Sequence, residues 1–184
     1  MLRNSIFLTV NGRASVMSEI SLSRICPQDA GDLIKANLEN RSYHAPWAQP
    51  FITKEGFDAW FADQMSDANI GFIARDRHTE GVVGVTHLSQ IVMRGFQNAY
   101  LGYYGMAQFS GRGLMAEAVR LTVRAAFNDV GLHRLEANIQ PGNARSIALV
   151  RKLGFRHEGF SPRYLRIDGE WRDHERWALL RDEV

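Results

Sequence analysis

Ser110-Gly111-Arg112-Gly113-Leu114-Met115 is the stretch on which the reading of this chain turns. It lies between a β-like segment, Asn98–Tyr104, and a helical stripe of Leu114, Ala118, Leu121 and Ala125 running to about Val130. Glycines let a backbone approach an anion closely. The helix start beyond them offers unpaired N–H groups and the positive end of its dipole. Arg112 can add a charge-assisted contact. This chemistry suits a pyrophosphate; a tight strand-to-helix turn is the plainer alternative for a lone Gly-x-Gly. No Gly-Lys-Ser/Thr follows, so the loop is not a Walker sequence. The third glycine of a dinucleotide fingerprint is replaced by Ala116.

Upstream, Ile20–Ile25 alternates as a strand. Pro27 opens a helix with Ala30, Leu33, Ile34 and Leu38 at helical spacing. Asn37–Pro50 reads as a loop carrying Tyr43, His44 and Trp47. Thr53 caps a second helix with Phe57, Trp60, Phe61 and Met65 on one face. Strands are predicted at Ile70–Arg75 and Gly81–Leu88. Downstream, His133–Gln140 is a strand ending at Pro141, and Asn143 opens a helix that stops near Gly154. Phe155–Gly159 and Trp171–Leu180 are strand candidates, with a hairpin signal at Asp168-Gly169 between them. The order β-α-α-β-β-β-α-β-α-β-β predicts a mixed α/β domain with one central sheet.

The 184 residues are 45% hydrophobic, 23% charged and 10% aromatic, enough for one domain with a sizeable core. A net charge of +2 excludes a strongly basic nucleic-acid binder. The single cysteine, Cys26, excludes a disulfide scaffold and points to a reducing compartment. No apolar run approaches the about 18 residues of a membrane span, and Ile6–Val10 is too short for a signal peptide, so the expected location is cytoplasmic. Residues 1–18 are expected to be a flexible tail, with Met17 a possible second start, and residues 19–184 the domain.

In the helix after Pro141, residues Asn143, Ser146, Leu149, Val150 and Leu153 share one face. Asn143 and Ser146 are polar members of that inward stripe, at its N-terminal end. Either they line a site beside the glycine loop, or Asn143 merely caps the helix and Ser146 bonds a nearby carbonyl.

Together these stretches resemble a GNAT-type N-acetyltransferase, and most closely its RimJ/RimL branch. The resemblance covers roughly residues 19 to 180. It rests on the glycine loop with Leu132–Gln140, Asn143-Ala144-Arg145-Ser146, Lys152-Leu153-Gly154-Phe155 and Glu158-Gly159. Tyr100-Leu101-Gly102-Tyr103, Tyr164-Leu165, Asp168–His174, Asn40-Arg41 and Pro46-Trp47 match the branch. The resemblance implies a GNAT fold, a mostly antiparallel splayed sheet flanked by helices. Acetyl-CoA would be the co-substrate, with no metal. Tyr103, Tyr104 and Gly105 would pair with the pantetheine arm. Ser110, Gly111, Arg112, Gly113, Leu114, Met115 and Ala116 would hold the pyrophosphate. Asn143 would contact the cofactor and Ser146 would sit near its sulfur. The chain departs from the family at Ser110, Met115, Val150 and Asn138, where other members carry a loop Gln or Arg, a small loop residue, a tyrosine acid and a glutamate base.

The reaction so implied is direct attack of a neutral amine on the thioester. Ser146 and Asn143 are candidates to serve the thiolate, and Glu136 a candidate base unless it is only a solvated strand carboxylate. His44 and His174 are further base candidates. Asn40, Arg41, His44 and Tyr164 are candidates for the acceptor side, with Tyr43, Trp47 and Tyr104 as groove walls; Trp60 and Trp177 read as core. The expected acceptor is a protein N-terminus, such as that of a ribosomal protein. Acetylation of a polyamine or aminoglycoside, or a non-catalytic acyl-CoA-binding module, are the alternatives. A monomer or homodimer is expected, with no membrane and no direct nucleic-acid partner.

Overall fold

The computed structural model describes residues 18–184, so the expected tail at residues 1–18 lies outside it except for Ser18. The element order is β1 (Ile20–Arg24), α1 (Ala30–Glu39), α2 (Arg41–His44), α3 (Lys54–Gln64), β2 (Ile70–Asp76), β3 (Val82–Val92), β4 (Asn98–Gly105), α4 (Leu114–Ala125), β5 (Arg134–Ile139), α5 (Ala144–Lys152), β6 (Arg156–Ile167) and β7 (Glu170–Leu180). The seven strands form one sheet in the order β1-β2-β3-β4-β5-β7-β6. Every neighbouring pair is antiparallel except β4–β5. The predicted mixed α/β, mostly antiparallel sheet flanked by helices is therefore what forms. No described helix is long and apolar enough to cross a membrane.

Strand alternation divides the core in two. On one face, Leu101, Leu135, Ala137 and Trp177 pack against Val119 and Val123 of α4 and Val150 of α5. Thr86 and Thr122 are wholly buried there, and their hydroxyls meet at 2.6 Å, which joins α4 to β3. On the other face, Ile73, Val85 and Met106 pack against Leu33 and Ala36 of α1 and Phe57 of α3. Thr53 caps α3 as expected, accepting from Gly56 N–H at 3.1 Å. Trp177 is buried and Trp60 packs on the second core, as their patterns predict.

Four local expectations need correction. Asn37–Pro50 is not all loop: α1 runs to Glu39 and α2 is a separate short helix. Leu38 and Met65 are 56% and 69% exposed, because α1 buries Ala36 and Asn37 instead and Met65 falls beyond the end of α3. Strand β3 continues past Leu88 to Val92 through a bulge, with Gln90 at φ 51°. Strand β6 continues past Gly159 to Ile167. It is an edge strand, so Pro162 needs no ladder partner, and a register shift between Ser161 and Leu165 absorbs the irregularity.

Candidate active site

Strands β4 and β5 pair over only three positions, Asn98↔Arg134, Ala99↔Leu135 and Tyr100↔Glu136. Beyond them β4 stays with β3 as far as Gly105, while β5 stays with β7 as far as Ile139. The sheet therefore splits between Leu101–Gly105 and Ala137–Ile139. Met106 N–H donates to the Val83 carbonyl at 2.9 Å, which fixes the phase of the β3–β4 ladder. By alternation, Leu101, Tyr103 and Gly105 turn their backbone groups into the gap. The Gly105 carbonyl already accepts from His44 Nε2 at 3.0 Å. Tyr103 keeps an edge on which an amide-bearing arm can pair.

At the mouth of the split, Gly111 and Gly113 take φ of 78° and 79°, left-handed values that disfavour a side chain. The first α4 bond runs from Glu117 N–H to the Gly113 carbonyl at 3.1 Å. This leaves the N–H groups of Leu114, Met115 and Ala116 directed out of the helix start, beside the positive dipole end. The Leu114 and Met115 side chains pack inward, so only the backbone of these residues serves the loop. Arg112 departs from its expected role. It pairs with Asp76 at 3.1 Å and lies 5.5 Å over the Phe109 ring, tying the loop to the β2–β3 turn. Hydrogen bonds from the N–H groups of Thr79 and His78, with Arg112 adding attraction, hold the Asp76 carboxyl below its ordinary value despite burial. A second cation, Arg145, is linked to the loop through Tyr43, a role the sequence reading did not give it. Tyr43 OH lies 3.1 Å from Ser110 Oγ, and the Arg145 guanidinium stands 5.6 Å over the Tyr43 ring. These residues fit a ligand with amides on a narrow arm and a diphosphate at its end.

The other wall of the split is α5. Asn143 Oδ1 accepts from Ser146 N–H at 3.2 Å, so Asn143 caps the helix. Ser146 Oγ lies 2.6 Å from Tyr103 OH. Burial pushes the Tyr103 hydroxyl up to about 12, against the opposing pull of Ser146, so the pair is neutral and can donate. Sequence spacing found Ser146. The family resemblance placed Tyr103 on the pantetheine strand, and neither it nor the spacing gave a sign of the contact, which joins residues 43 positions apart.

On the opposite face of the sheet, several expected roles change. Glu136 is clamped, accepting from Arg134 Nε at 2.9 Å and from Asn98 Nδ2 at 3.1 Å, while Arg134 also pairs with Glu158. Both contacts fall on Oε1, so Glu136 stands in an ion pair with Arg134. Asn40 is 4% exposed and uses both ends of its amide: Nδ2 donates to the Ala36 carbonyl at 2.8 Å, and Oδ1 accepts from Ala107 N–H at 2.7 Å. It ties α1 to the segment after β4 and cannot reach an acceptor. His44 is buried against Tyr104 and the Gly105 carbonyl, and burial drives its pKa down. Tyr104 is turned beneath α1 and α2, away from the cofactor edge. His174 is 3% exposed, with Nδ1 bonded to the Arg172 carbonyl at 3.0 Å. Arg41 is exposed. Tyr164 stays half-buried beside His174 and against Tyr100, whose hydroxyl it raises. A cleft of about 290 Å³, lined by Trp47, Gly142, Trp171 and Asp173 among others, opens beside the β5–α5 turn.

Replacing Asn40 with alanine removes a buried amide and both of its hydrogen bonds, to the Ala36 carbonyl and from Ala107 N–H. A loss of about 2 kcal/mol is expected. In a domain of this size that lowers the melting temperature by about 4–8 °C. Arg41→Ala, on an exposed side chain, should leave it unchanged. Calorimetry of both variants checks this.

Residues 19–156 match the family described as the acetyltransferase (GNAT) domain. The [ribosomal protein uS5]-alanine N-acetyltransferase of Escherichia coli is 35% identical over 162 residues, 83% of this chain and 82% of that protein. "Probable N-acetyltransferase YjcK" of Bacillus subtilis is 39% identical over 99 residues. That match takes in 54% of this chain and about half, 55%, of the relative. Among solved structures, Mycobacterium smegmatis RimJ in complex with CoA-disulfide superposes with a TM-score of 0.81 at 25% identity, covering 90% of this chain and 83% of that one.

Proposed function

Because this chain belongs to the GNAT acetyltransferase family, we propose that it moves the acetyl group of acetyl-CoA to the α-amino group of a protein N-terminus, a ribosomal protein being the favoured acceptor. One observation carries the reading: a split sheet has the open start of α4 at its mouth and a neutral hydroxyl pair, Tyr103 and Ser146, on one wall. Residues Gly111–Ala116 would cradle the diphosphate, with Arg145 adding charge. The Tyr103 edge would hold the pantetheine amides. Ser146, held by Asn143 and Tyr103, would donate to the departing thiolate.

The substrate class follows from proton energetics. An α-amino group has a pKa of about 7.7–8.0 and a lysine amine about 10.4. Neutralising the first at pH near 7 costs about 1 kcal/mol and the second about 4.6. Among the described residues the carboxylate candidate, Glu136, is tied to Arg134, which favours the more easily neutralised amine. The relative that acts on a ribosomal-protein alanine supports the same choice.

The test is a thiol-release assay with peptides beginning Ala, Ser or Met, alongside polyamines. Turnover of the free peptides that disappears on Nα-blocking is expected. Turnover of lysine side chains in blocked peptides, or of polyamines alone, would overturn the acceptor class. No thiol release with any amine would leave only an acyl-CoA-binding module. Within this scheme, Ser146→Ala is expected to lower kcat by about 10²-fold with acetyl-CoA affinity unchanged, as read by steady-state kinetics and titration calorimetry.

A further inference from the structure

Six buried side-chain polar atoms have no hydrogen-bond partner among the described residues: Asn37 Oδ1, His44 Nδ1, Gln64 Oε1, His87 Nδ1, Tyr104 OH and Asn138 Oδ1. Strand alternation and helix packing put all six on the face that α1 and α3 cover. Buried polar atoms are almost always paired, and Tyr104 OH has the Asn37 amide as its neighbour, which leaves His87 as the member of the group that bears on the split.

His87 stands out within the group. It sits on β3 between Gly71 of β2 and Gly102 of β4. A Cβ on Gly102 would stand 2.2 Å from both Cε1 and Nε2 of the imidazole, so the ring tip rests directly on the glycine. Gly102 is two residues beyond Tyr100, the last β4 residue paired with β5. The tip therefore reaches across β4 to where the sheet first opens. Asn138, two residues beyond Glu136, stands on the same face across the gap. Tyr103 and Ser146 lie on the opposite face, as alternation requires.

Resting on the acetyl-transfer reading above, we propose that His87 takes the proton of the acceptor ammonium at Nε2, on the side of the split opposite Tyr103 and Ser146. The other nearby candidates are already engaged. Glu136 is held by Arg134, His44 Nε2 by the Gly105 carbonyl, and His174 Nδ1 by the Arg172 carbonyl. No described residue hydrogen-bonds to either ring nitrogen of His87. Gln64 Oε1, an acceptor likewise without a partner, would lie 3.2 Å from a Cβ on Gly71, the residue paired with His87. A proton on Nδ1 leaves the Nε2 lone pair free toward the gap. Burial lowers the His87 pKa, with the Asp63 carboxylate of α3 opposing. The titratable groups on adjoining strands are Tyr100 and Tyr104 of β4 and Glu136 of β5, and β2 presents only Gly71 opposite the ring. The imidazole is thus neutral near pH 7.

In the proton transfer, an ammonium N–H bond breaks and its proton goes to His87 Nε2. The freed lone pair forms the C–N bond at the acetyl carbonyl, and the C–S bond breaks. The thiolate takes a proton from the Tyr103–Ser146 pair, which recovers the second proton shed by the new amide nitrogen. His87 then releases its proton to solvent, one for each acetyl group moved.

The experiment compares the pH dependence of kcat for an Ala-first peptide in the wild type and in His87→Gln. The variant should lose about 10²-fold at pH 7. Its deficit should shrink above the amine's own pKa of about 7.7–8.0, where no proton needs removing. Acetyl-CoA affinity by calorimetry should be unchanged. A deficit of the same size at every pH, or no deficit, overturns the assignment. Should His87→Gln melt early, Gly102→Ala, which displaces the ring, must give the same pH-dependent loss. Histidine NMR of the wild type supplies a reading free of turnover: the His87 ring must shift on peptide addition, and an unchanged ring also overturns the assignment. Wild-type turnover with an unaltered variant profile removes only His87. Absence of turnover with every amine removes the acetyl-transfer reading and this assignment together.

Discussion

Gly84→Ala is expected to cost about 3 kcal/mol of stability. Gly84 lies on β3 opposite Gly105. A Cβ there would stand 2.4 Å from the Tyr104 carbonyl oxygen, 2.6 Å from Met115 Sδ and 3.0 Å from Gly105 Cα. The thioether can swing aside, but the carbonyl belongs to the β3–β4 ladder and cannot yield without breaking it. Met115 also seats the start of α4, so the same methyl should loosen the glycine loop and weaken acetyl-CoA binding. Gly95→Ala is the matched control, because nothing lies within 4 Å of a Cβ at that position. Melting curves of the two variants check the claim. A Gly84→Ala protein that melts with the wild type would show that β3 and β4 are not held as closely as the structure has them.

Gly113→Val should weaken acetyl-CoA binding by roughly 10- to 100-fold while leaving the fold intact. The reason is conformational rather than steric, for a Cβ at Gly113 would meet nothing within 4 Å. At φ 79° a β-branched residue is strained by about 1–3 kcal/mol. The loop relieves that strain by turning Gly113 out of the left-handed region, and the N–H groups of Leu114–Ala116 then no longer converge. The conversion at about 1.4 kcal/mol per tenfold gives the range. Calorimetric titration with acetyl-CoA reads it. Unaltered affinity in a well-folded variant would remove the diphosphate from this loop.

Elements with a strong local signal are legible in the amino-acid order alone. The periodicity after Leu114, the Thr53 cap, the Asp168-Gly169 turn and the helix from Asn143 to Gly154 depend on neighbours three or four residues away. Where local pattern falls short, a long-range partner supplies what it lacks. Pro162 and Gly159 break the strand pattern of β6, yet as an edge strand beside β7 it tolerates both. In the site, the glycine loop and Ser146 are readable because each belongs to a short local motif. Asn40 and Arg112 depart from their expected roles for the opposite reason. Their side chains are bound to Ala107 and Asp76, 67 and 36 residues away, and no spacing rule reveals such partners.

By itself, then, the sequence determined the order of the main helices and strands though not α2 or the full lengths of β3 and β6, where glycine frees a helix start, and that a serine stands at the head of the following helix. All of this follows from φ/ψ preference and hydrophobic period, which act over a few residues. Only the tertiary structure decided that β4 and β5 part after Tyr100, that Tyr103 meets Ser146 on one face, and that His87 reaches over Gly102 on the other. Those outcomes depend on strand order and register. A shift of one residue would turn every side chain to the wrong face, and that alignment is set by the two cores jointly rather than by any stretch of chain alone.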